Sequence, residues 1–285
     1  MIGNEMNNQD TRIGFIGAGN MGYAMISGLL DAGHAPGCIY ASDSDQKQRE
    51  RIQCLHADLQ ISDDNIAVLE ASSVLVLAVK PQLVSGVTKK MRGATRPENQ
   101  LIMSVAAGIT LGTLQSLLDL APAVVRIMPN QPAMFGAAMS ALIATPATSD
   151  RQRELAEYVA ESMGRAEWID DEQMMDAVTA ISGSGPAYFY LLAELIETCA
   201  EEMGLPPELA KILTRQTIIG AGKTVSESNL SLAELRHSVT SNGGTTAAAI
   251  EVLERAGIRD IVRDALTAAR ERSIELGNDT SPTDS

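Results

Sequence analysis

Two short stretches at opposite ends of the chain hold the residue types best suited to binding anionic groups. Near the C-terminus, Val239-Thr240-Ser241-Asn242-Gly243-Gly244-Thr245-Thr246 interrupts a half that otherwise reads as helix. Its two glycines let the backbone pass close to a bound group, and the hydroxyls of Ser241, Thr245 and Thr246 supply donors. The helix expected from Thr245 onward presents free N–H groups and a positive dipole end, which favour a carboxylate or a phosphate. A plain turn followed by a helix cap accounts for the same residues, so local chemistry leaves both readings open. Near the N-terminus, Gly17-Ala18-Gly19-Asn20-Met21-Gly22 follows the short apolar strand Arg12–Ile16 and opens a helical run from Met21 to Leu30. Strand, GxGxxG, helix is a dinucleotide fingerprint in its proper context. Gly17 makes the tight turn, Gly19 admits the pyrophosphate, and Gly22 lets helix and strand pack.

Other candidates follow strand ends. Ile39–Ser42 reads as a second strand and ends at Asp43, where an acid accepts from the ribose 2′-hydroxyl of NAD and repels the 2′-phosphate of NADP. Ser42, Ser44, Lys47, Arg49 and Arg51 lie close by and suit a phosphate, while Asp43-Ser44-Asp45 also reads as a helix start. The run Val74–Val79 is a strand buried on both faces, leading into Lys80-Pro81-Gln82 at the sheet edge where ligands of such folds bind. Lys80 can reach coenzyme phosphate or ribose, or stand in solvent before a helix-starting proline. Ala106-Ala107-Gly108 leaves room for a ring after the strand Leu101–Val105. Arg126-Ile127-Met128-Pro129-Asn130 ends another strand in a loop stiffened by Pro129 and Pro132, with Asn130 placed to hydrogen-bond a ligand and Arg126 to anchor the loop. His34, His56 and His237 fall outside these motifs; His237 reads as a helix-surface residue.

The elements that must position these residues divide the chain. Strands Met139–Ala144 and Ala166–Ile169, with the surface helix Arg151–Met163 between them, complete an alternating pattern that implies a parallel, doubly wound sheet. From Asp170 onward strand signals vanish. Helices are expected over Asp176–Ile181, Ala187–Met203, Pro207–Ser226, Thr245–Arg255 and Arg259–Leu276, the capping box Ser231-Leu232-Ala233-Glu234 starts a short one, and Ser182-Gly183-Ser184-Gly185-Pro186 is a break. The helix Ala187–Met203 is apolar nearly all round, so it must be buried, and a partner subunit buries it best. The expected organisation is a Rossmann-type α/β domain over residues 1–168 and an all-α dimerisation domain over residues 169–285.

Composition bounds the function. The 285 residues carry 22 basic and 36 acidic side chains, a formal net charge of −14, which argues against sequence-independent nucleic-acid binding and against an anionic membrane partner. Cys38, Cys54 and Cys199 have no metal-type spacing, and no metal site is expected. They fit a reduced, cytoplasmic setting. Met1–Asp10 lacks the apolar core of a signal peptide, and no apolar run is long enough to span a bilayer.

Taken in order, Gly17–Gly22, Ala78-Val79-Lys80-Pro81-Gln82, Arg126–Asn130, Ser182-Gly183-Ser184-Gly185-Pro186-Ala187-Tyr188 and Val239–Thr246 resemble the pyrroline-5-carboxylate reductases, from about Thr11 to Leu276. The resemblance implies reduction of the C=N bond of 1-pyrroline-5-carboxylate to L-proline by NADPH or NADH, the last step of proline biosynthesis. It implies helical domains that interlock into homodimers, which assemble further into rings. The substrate carboxylate would be held by Ser241, Gly243, Gly244 and Thr245, with Thr246 near the ring nitrogen. Coenzyme would be held by Gly17, Ala18, Gly19, Asn20, Met21, Ser42, Asp43, Ala78, Val79, Lys80, Ala106 and Asn130. Two departures stand out. Asn242 replaces the usual proline of a Ser-Pro-Gly-Gly loop, and Asp43-Ser44 replaces the Asn-Arg-like pair that grips a 2′-phosphate. A β-hydroxyacid dehydrogenase would need a lysine base on the helix after Pro186, which carries none, and a mere coenzyme sensor would not need the second anion cradle.

Overall fold

The computed structural model describes residues 8–96, 100–118 and 122–279. They form two compact units: the residues up to Ser184 together with those from Ala269 onward, and Gly185–Ala268.

The first unit is one eight-stranded sheet. Its strands are β1 (Ile13–Ile16), β2 (Ile39–Ser42), β3 (Gln60–Ser62), β4 (Val74–Leu77), β5 (Leu101–Ser104), β6 (Ala123–Met128), β7 (Ala138–Ala144) and β8 (Gly164–Trp168). They lie in the order β3-β2-β1-β4-β5-β6-β7-β8. The helices of this unit are α1 (Asn20–Asp31), α2 (Gln46–Gln53), α3 (Asn65–Ala71), α4 (Pro81–Met91), α5 (Leu111–Leu117), α6 (Asp150–Glu161) and α7 (Met174–Val178). Strand alternation sends successive side chains to opposite faces. Ile13, Phe15, Val74 and Val76 pack on one face with Met25, Ile52 and Val159 of α1, α2 and α6. Ile16, Leu75 and Leu77 pack on the other with Leu69, Val84, Leu114 and Met175 of α3, α4, α5 and α7. Burial on both faces is why these strands read as unbroken apolar runs.

The sheet departs from the expected all-parallel form at one place. β6 and β7 run antiparallel, with Arg126 opposite Ile143 and Met128 opposite Ala141. A parallel crossover takes about a dozen residues or more, and between these strands there is only the single 3-10 turn Gln131–Phe135, closed by Gly136 at φ 66°. The chain must therefore reverse. β7 and β8 are parallel again, joined through α6.

The second unit holds α8 (Gly185–Glu202), α9 (Pro207–Glu227), α10 (Leu232–Ser238), α11 (Thr245–Arg255) and the start of α12 (Ile258–Asp279). α8 ends at Gly204, φ 94°, where Gly204 N–H bonds to Glu201 O and Leu205 N–H to Ala200 O. α10 begins at the predicted capping box, Ser231 and Glu234 satisfying each other's backbone N–H groups.

The units part after Ser184, later than the 168/169 division read from the sequence. Met175 is fully buried beneath the sheet, and Ser273 on the last turns of α12 donates to Asp176 Oδ1 at 2.7 Å. Packing, which no local signal announces, assigns residues 169–184 and the C-terminal turns to the sheet.

Candidate active site

The C-terminal ends of the central strands are level with one another. Ile16 stands beside Ser42 and Leu77, Leu77 beside Ser104, and Ser104 beside Arg126. Gly17, Asp43, Ala78, Ala106 and Asn130, expected from separate motifs, thus emerge along one edge of one sheet. The turn after β1 has the shape the glycines foretold. Gly17 has φ 100°, and a Cβ there would stand 2.6 Å from the Ala78 carbonyl oxygen. A Cβ on Gly22 would strike the carbonyl oxygen of Gly17, so helix and turn could not close. Gly19, at the head of α1, has no atom within 4 Å of the same point. A cradle closed behind and open in front, at a helix N-terminus, fits a pyrophosphate. Met21 is half-buried behind it, and Asn20 Oδ1 accepts from Arg51 Nη1 at 3.0 Å.

Individual side chains differ in how free they are. Asp45, not Asp43, caps α2, accepting from Lys47 N–H. Asp43 instead accepts the N–H of Ala18 at 2.7 Å, so that N–H is already taken. Ser42 is buried, its hydroxyl donating to Asn65 Oδ1 at 2.8 Å. Asn65 at the start of α3 was not singled out from sequence; the Asp64 cap before it was the available signal. Ala78 and Val79 are half-buried and Ala106 is buried, which keeps the rim small and apolar, while Lys80 is exposed. Asn130 braces the loop it sits in: its Nδ2 donates to Ser182 O at 3.0 Å and its Oδ1 accepts from Met139 N–H at 3.0 Å. Ser182 lies in a single π turn, Thr179–Gly183, within the Ser182–Tyr188 motif. Arg126, 4% exposed, anchors a different neighbour. Its Nη1 donates to Glu172 Oε1 at 2.9 Å, and the same oxygen accepts the N–H of Leu111 at the head of α5. Glu172 was not legible in sequence at all.

The C-terminal loop has a comparable architecture within the second unit. Gly243 takes φ 70°, Gly244 is the N-cap of α11, and Gly244 N–H bonds back to Ser241 O at 3.0 Å. A Cβ on Gly244 would stand 2.5 Å from Ser241 Oγ, so the serine hydroxyl lies over the helix start only because glycine is there. Ala248 is the first residue of α11 whose N–H bonds to Gly244 O; the N–H groups of Thr245, Thr246 and Ala247 precede it. The hydroxyls of Ser241, Thr245 and Thr246 have no partner among the described residues. The first-turn N–H groups lie where the helix dipole favours negative charge. Asn242 is exposed and interrupts none of this. His237 is exposed on the last turn of α10, as expected.

No helix among the described residues is long and apolar enough to cross a membrane, and no group of His, Cys, Asp or Glu among them has a metal-binding arrangement.

Comparison with known proteins matches both halves of the chain. Residues 172–276 match the family model for pyrroline-5-carboxylate reductase dimerisation, and residues 12–108 match that for NADP oxidoreductase, coenzyme F420-dependent. The chain is 43% identical over 265 residues to pyrroline-5-carboxylate reductase of Pseudomonas aeruginosa, covering 93% of this chain and 96% of that protein. It is 37% identical to the pyrroline-5-carboxylate reductase of Pisum sativum over 93% of this chain and 95% of that one. The structure resembles that of a pyrroline-5-carboxylate reductase from Coxiella burnetii, with a TM-score of 0.90 and 34% identity over 96% of this chain and all of that one. It also resembles the Plasmodium falciparum pyrroline carboxylate reductase with NADP bound, TM-score 0.82 and 27% identity over 94% and 99% of the two chains. A Rossmann-type sheet with a glycine turn, a helical unit, and identity of this extent lead to one statement: the chain belongs to the pyrroline-5-carboxylate reductase family.

Proposed function

We propose that this protein reduces the C=N bond of 1-pyrroline-5-carboxylate to L-proline with NADH or NADPH, the last step of proline biosynthesis. The observation that carries this reading is the loop Ser241–Thr246 at the head of α11, where the N–H groups of Thr245 and Thr246 precede the first helical bond and the Ser241 hydroxyl lies beside the Gly244 N-cap. That cradle has no use in a protein that merely binds a nucleotide. It suits a small substrate with a carboxylate.

The coenzyme, when bound, supplies the hydride. The chain's own residues bind and orient. Gly17, Ala18, Gly19, Asn20 and Met21 form the pyrophosphate turn, Ser42 and Asp43 border the ribose, and Ala78, Val79, Lys80, Ala106 and Asn130 line the edge toward the nicotinamide. Ser241, Gly243, Gly244 and Thr245 hold the substrate carboxylate, and this grip selects the face of the ring offered to the hydride. Fixing two reactants in near-attack geometry accounts for a large share of such a rate. The Thr246 hydroxyl donates to the ring nitrogen. It is too weak an acid to be the sole proton source, so the imine arrives protonated or takes its proton through water.

The assembly is a homodimer, extended into a ring of dimers. A groove of about 590 Å³ between α8 and α9, lined by Tyr190, Glu194, Thr198 and Ile218 among others, offers a seat for helices of a second copy. The setting is the cytoplasm, with Cys38, Cys54 and Cys199 as free thiols; neither nucleic acid nor membrane is a partner.

The test is to mix protein with 1-pyrroline-5-carboxylate and each reduced coenzyme, following coenzyme oxidation and proline formation. Coenzyme-dependent proline formation is expected, and its absence with both coenzymes overturns the reading. Loss of one hydrogen bond at the reacting nitrogen predicts that Thr246→Ala lowers kcat roughly tenfold to 100-fold while leaving coenzyme affinity nearly unchanged. An equal loss in both removes the role given to Thr246.

A further inference from the structure

The carboxylate of Asp43 is built into the coenzyme turn. Its Oδ2 accepts the N–H of Ala18 at 2.7 Å and its Oδ1 accepts the N–H of Asp45 at 2.9 Å. Ala18 is 1% exposed, so the carboxylate is pinned against a rigid part of the turn. The adjacent bond from Gly17 N–H to Ser42 O, 2.8 Å, holds the two strand ends together.

In this fold an acid at the end of the second strand accepts hydrogen bonds from the adenosine ribose hydroxyls of NAD. A 2′-phosphate in the same place brings acceptor oxygens and negative charge against a carboxylate, with no proton to share and a like-charge penalty. A cation could reverse that balance, and the nearby ones are largely committed. Arg49 Nη1 donates to the Asp43 carbonyl oxygen at 2.7 Å. Arg51 lies 4.0 Å over the Tyr23 ring and donates to Asn20. Lys47 is exposed on the first turn of α2, beyond the Asp45 carboxylate that caps that helix. Ser42, whose hydroxyl would suit a phosphate, is buried and spends it on Asn65.

We infer that Asp43 is the residue that decides coenzyme choice, and that this chain selects NADH over NADPH. The inference rests on the reading of Gly17–Gly22 as a coenzyme cradle. It goes beyond that reading because the family model matched by this domain and the Plasmodium falciparum relative are both described with NADP.

The test is direct binding, without substrate, of NADH and of NADPH to the full-length protein, followed by nicotinamide fluorescence. A like-charge clash predicts that NADH binds roughly tenfold tighter or more. Asp43→Asn keeps an oxygen for the Ala18 N–H, gives up the exposed bond from the Asp45 N–H and removes the charge, so NADPH binding should tighten by about tenfold while NADH binding weakens several-fold. A thermal melt unchanged by the substitution separates this from loss of fold. Arg49→Ala should leave the ratio of the two affinities unaltered. Wild-type protein that binds NADPH as tightly as NADH overturns the inference. So does an Asp43→Asn variant that weakens both coenzymes equally, or an Arg49→Ala variant that loses NADPH alone. Preference for NADH in binding, without reduction of 1-pyrroline-5-carboxylate by either coenzyme, would sink the proposed reaction and leave the inference standing. Binding of neither coenzyme would remove the cradle and the inference together.

Discussion

The two units of this chain carry similar apolar side chains and treat them in opposite ways. In the sheet unit Phe15, Val74, Leu75 and Leu77 are all fully buried, covered on both faces by helices of the same chain. In the helical unit Gly185 is the only buried residue of α8, while Phe189, Leu192 and Leu195 are 66%, 53% and 54% exposed. α9 buries only Ala210 and Thr214, and α10 and α11 bury nothing. One unit supplies its own core, and the other lays a core open. Burying the exposed half of a leucine or phenylalanine is worth about 1 kcal/mol. Two copies of such a face can therefore offset at least the lower end of the roughly 4–15 kcal/mol that association costs in lost freedom. The difference teaches where assembly enters the fold: the sheet unit is complete in one chain, and the helical unit is not.

The strongest way to break that contrast is to charge the open face. Leu192→Glu combined with Ile196→Glu places acids where a partner would desolvate them, which costs several kcal/mol per buried charge. Sedimentation should then give a monomer with intact coenzyme binding and no proline formation. A variant that stays dimeric means the face is not the interface.

The same contrast is sharpened inside the sheet unit by removing one partner of a buried pair. Arg126 and Glu172 have side-chain exposures of 5% and 28%, and Glu172 also holds the head of α5. Glu172→Ala leaves a buried guanidinium uncompensated, a loss of about 3 kcal/mol, measurable by denaturant unfolding of the full protein. Because the damage is internal to the first unit, the dimer should survive at low denaturant. Dissociation without loss of stability would contradict the division of labour.

The smallest effect is on pH dependence. His34 is 2% exposed, with Nε2 3.0 Å from Thr11 O and Nδ1 3.1 Å from the Tyr158 hydroxyl. Desolvation by burial lowers its pKa below the usual 6.5, only partly opposed by the bond to Thr11, and burial raises that of Tyr158. A depressed histidine pKa means the folded state binds the proton less well than the unfolded chain. Its contribution to stability is thus complete above 6.5 and declines as pH falls from there through the folded value. Melting temperature should drop between pH 7 and pH 5.5, and His34→Gln should flatten that drop. A melting curve equally steep in the variant would assign the acid sensitivity elsewhere.

These elements were unequally legible. The turn Gly17–Gly22 could be read because each glycine answers a local steric demand. β4 could be read because a strand buried on both faces is apolar throughout. β3, only three residues long and partly polar, and α5 gave no period long enough to recognise. The reversal between β6 and β7 was hidden by the alternation of strands around it, although Pro129 and Pro132 marked the short link. Asn130 read as a ligand's partner, but its amide is engaged by Ser182 and Met139, which come near only after the sheet has closed.

By itself, the sequence determined the glycine cradles, the helix caps, the two-part organisation and the surplus of apolar side chains after Pro186. Each depends on neighbours within a few residues, where sterics and hydrogen-bonding capacity leave few options. The tertiary structure decided what Asp43, Asn130 and Glu172 hold. Their partners Ala18, Ser182 and Arg126 lie distant in sequence, and only strand register and packing bring those atoms within bonding distance.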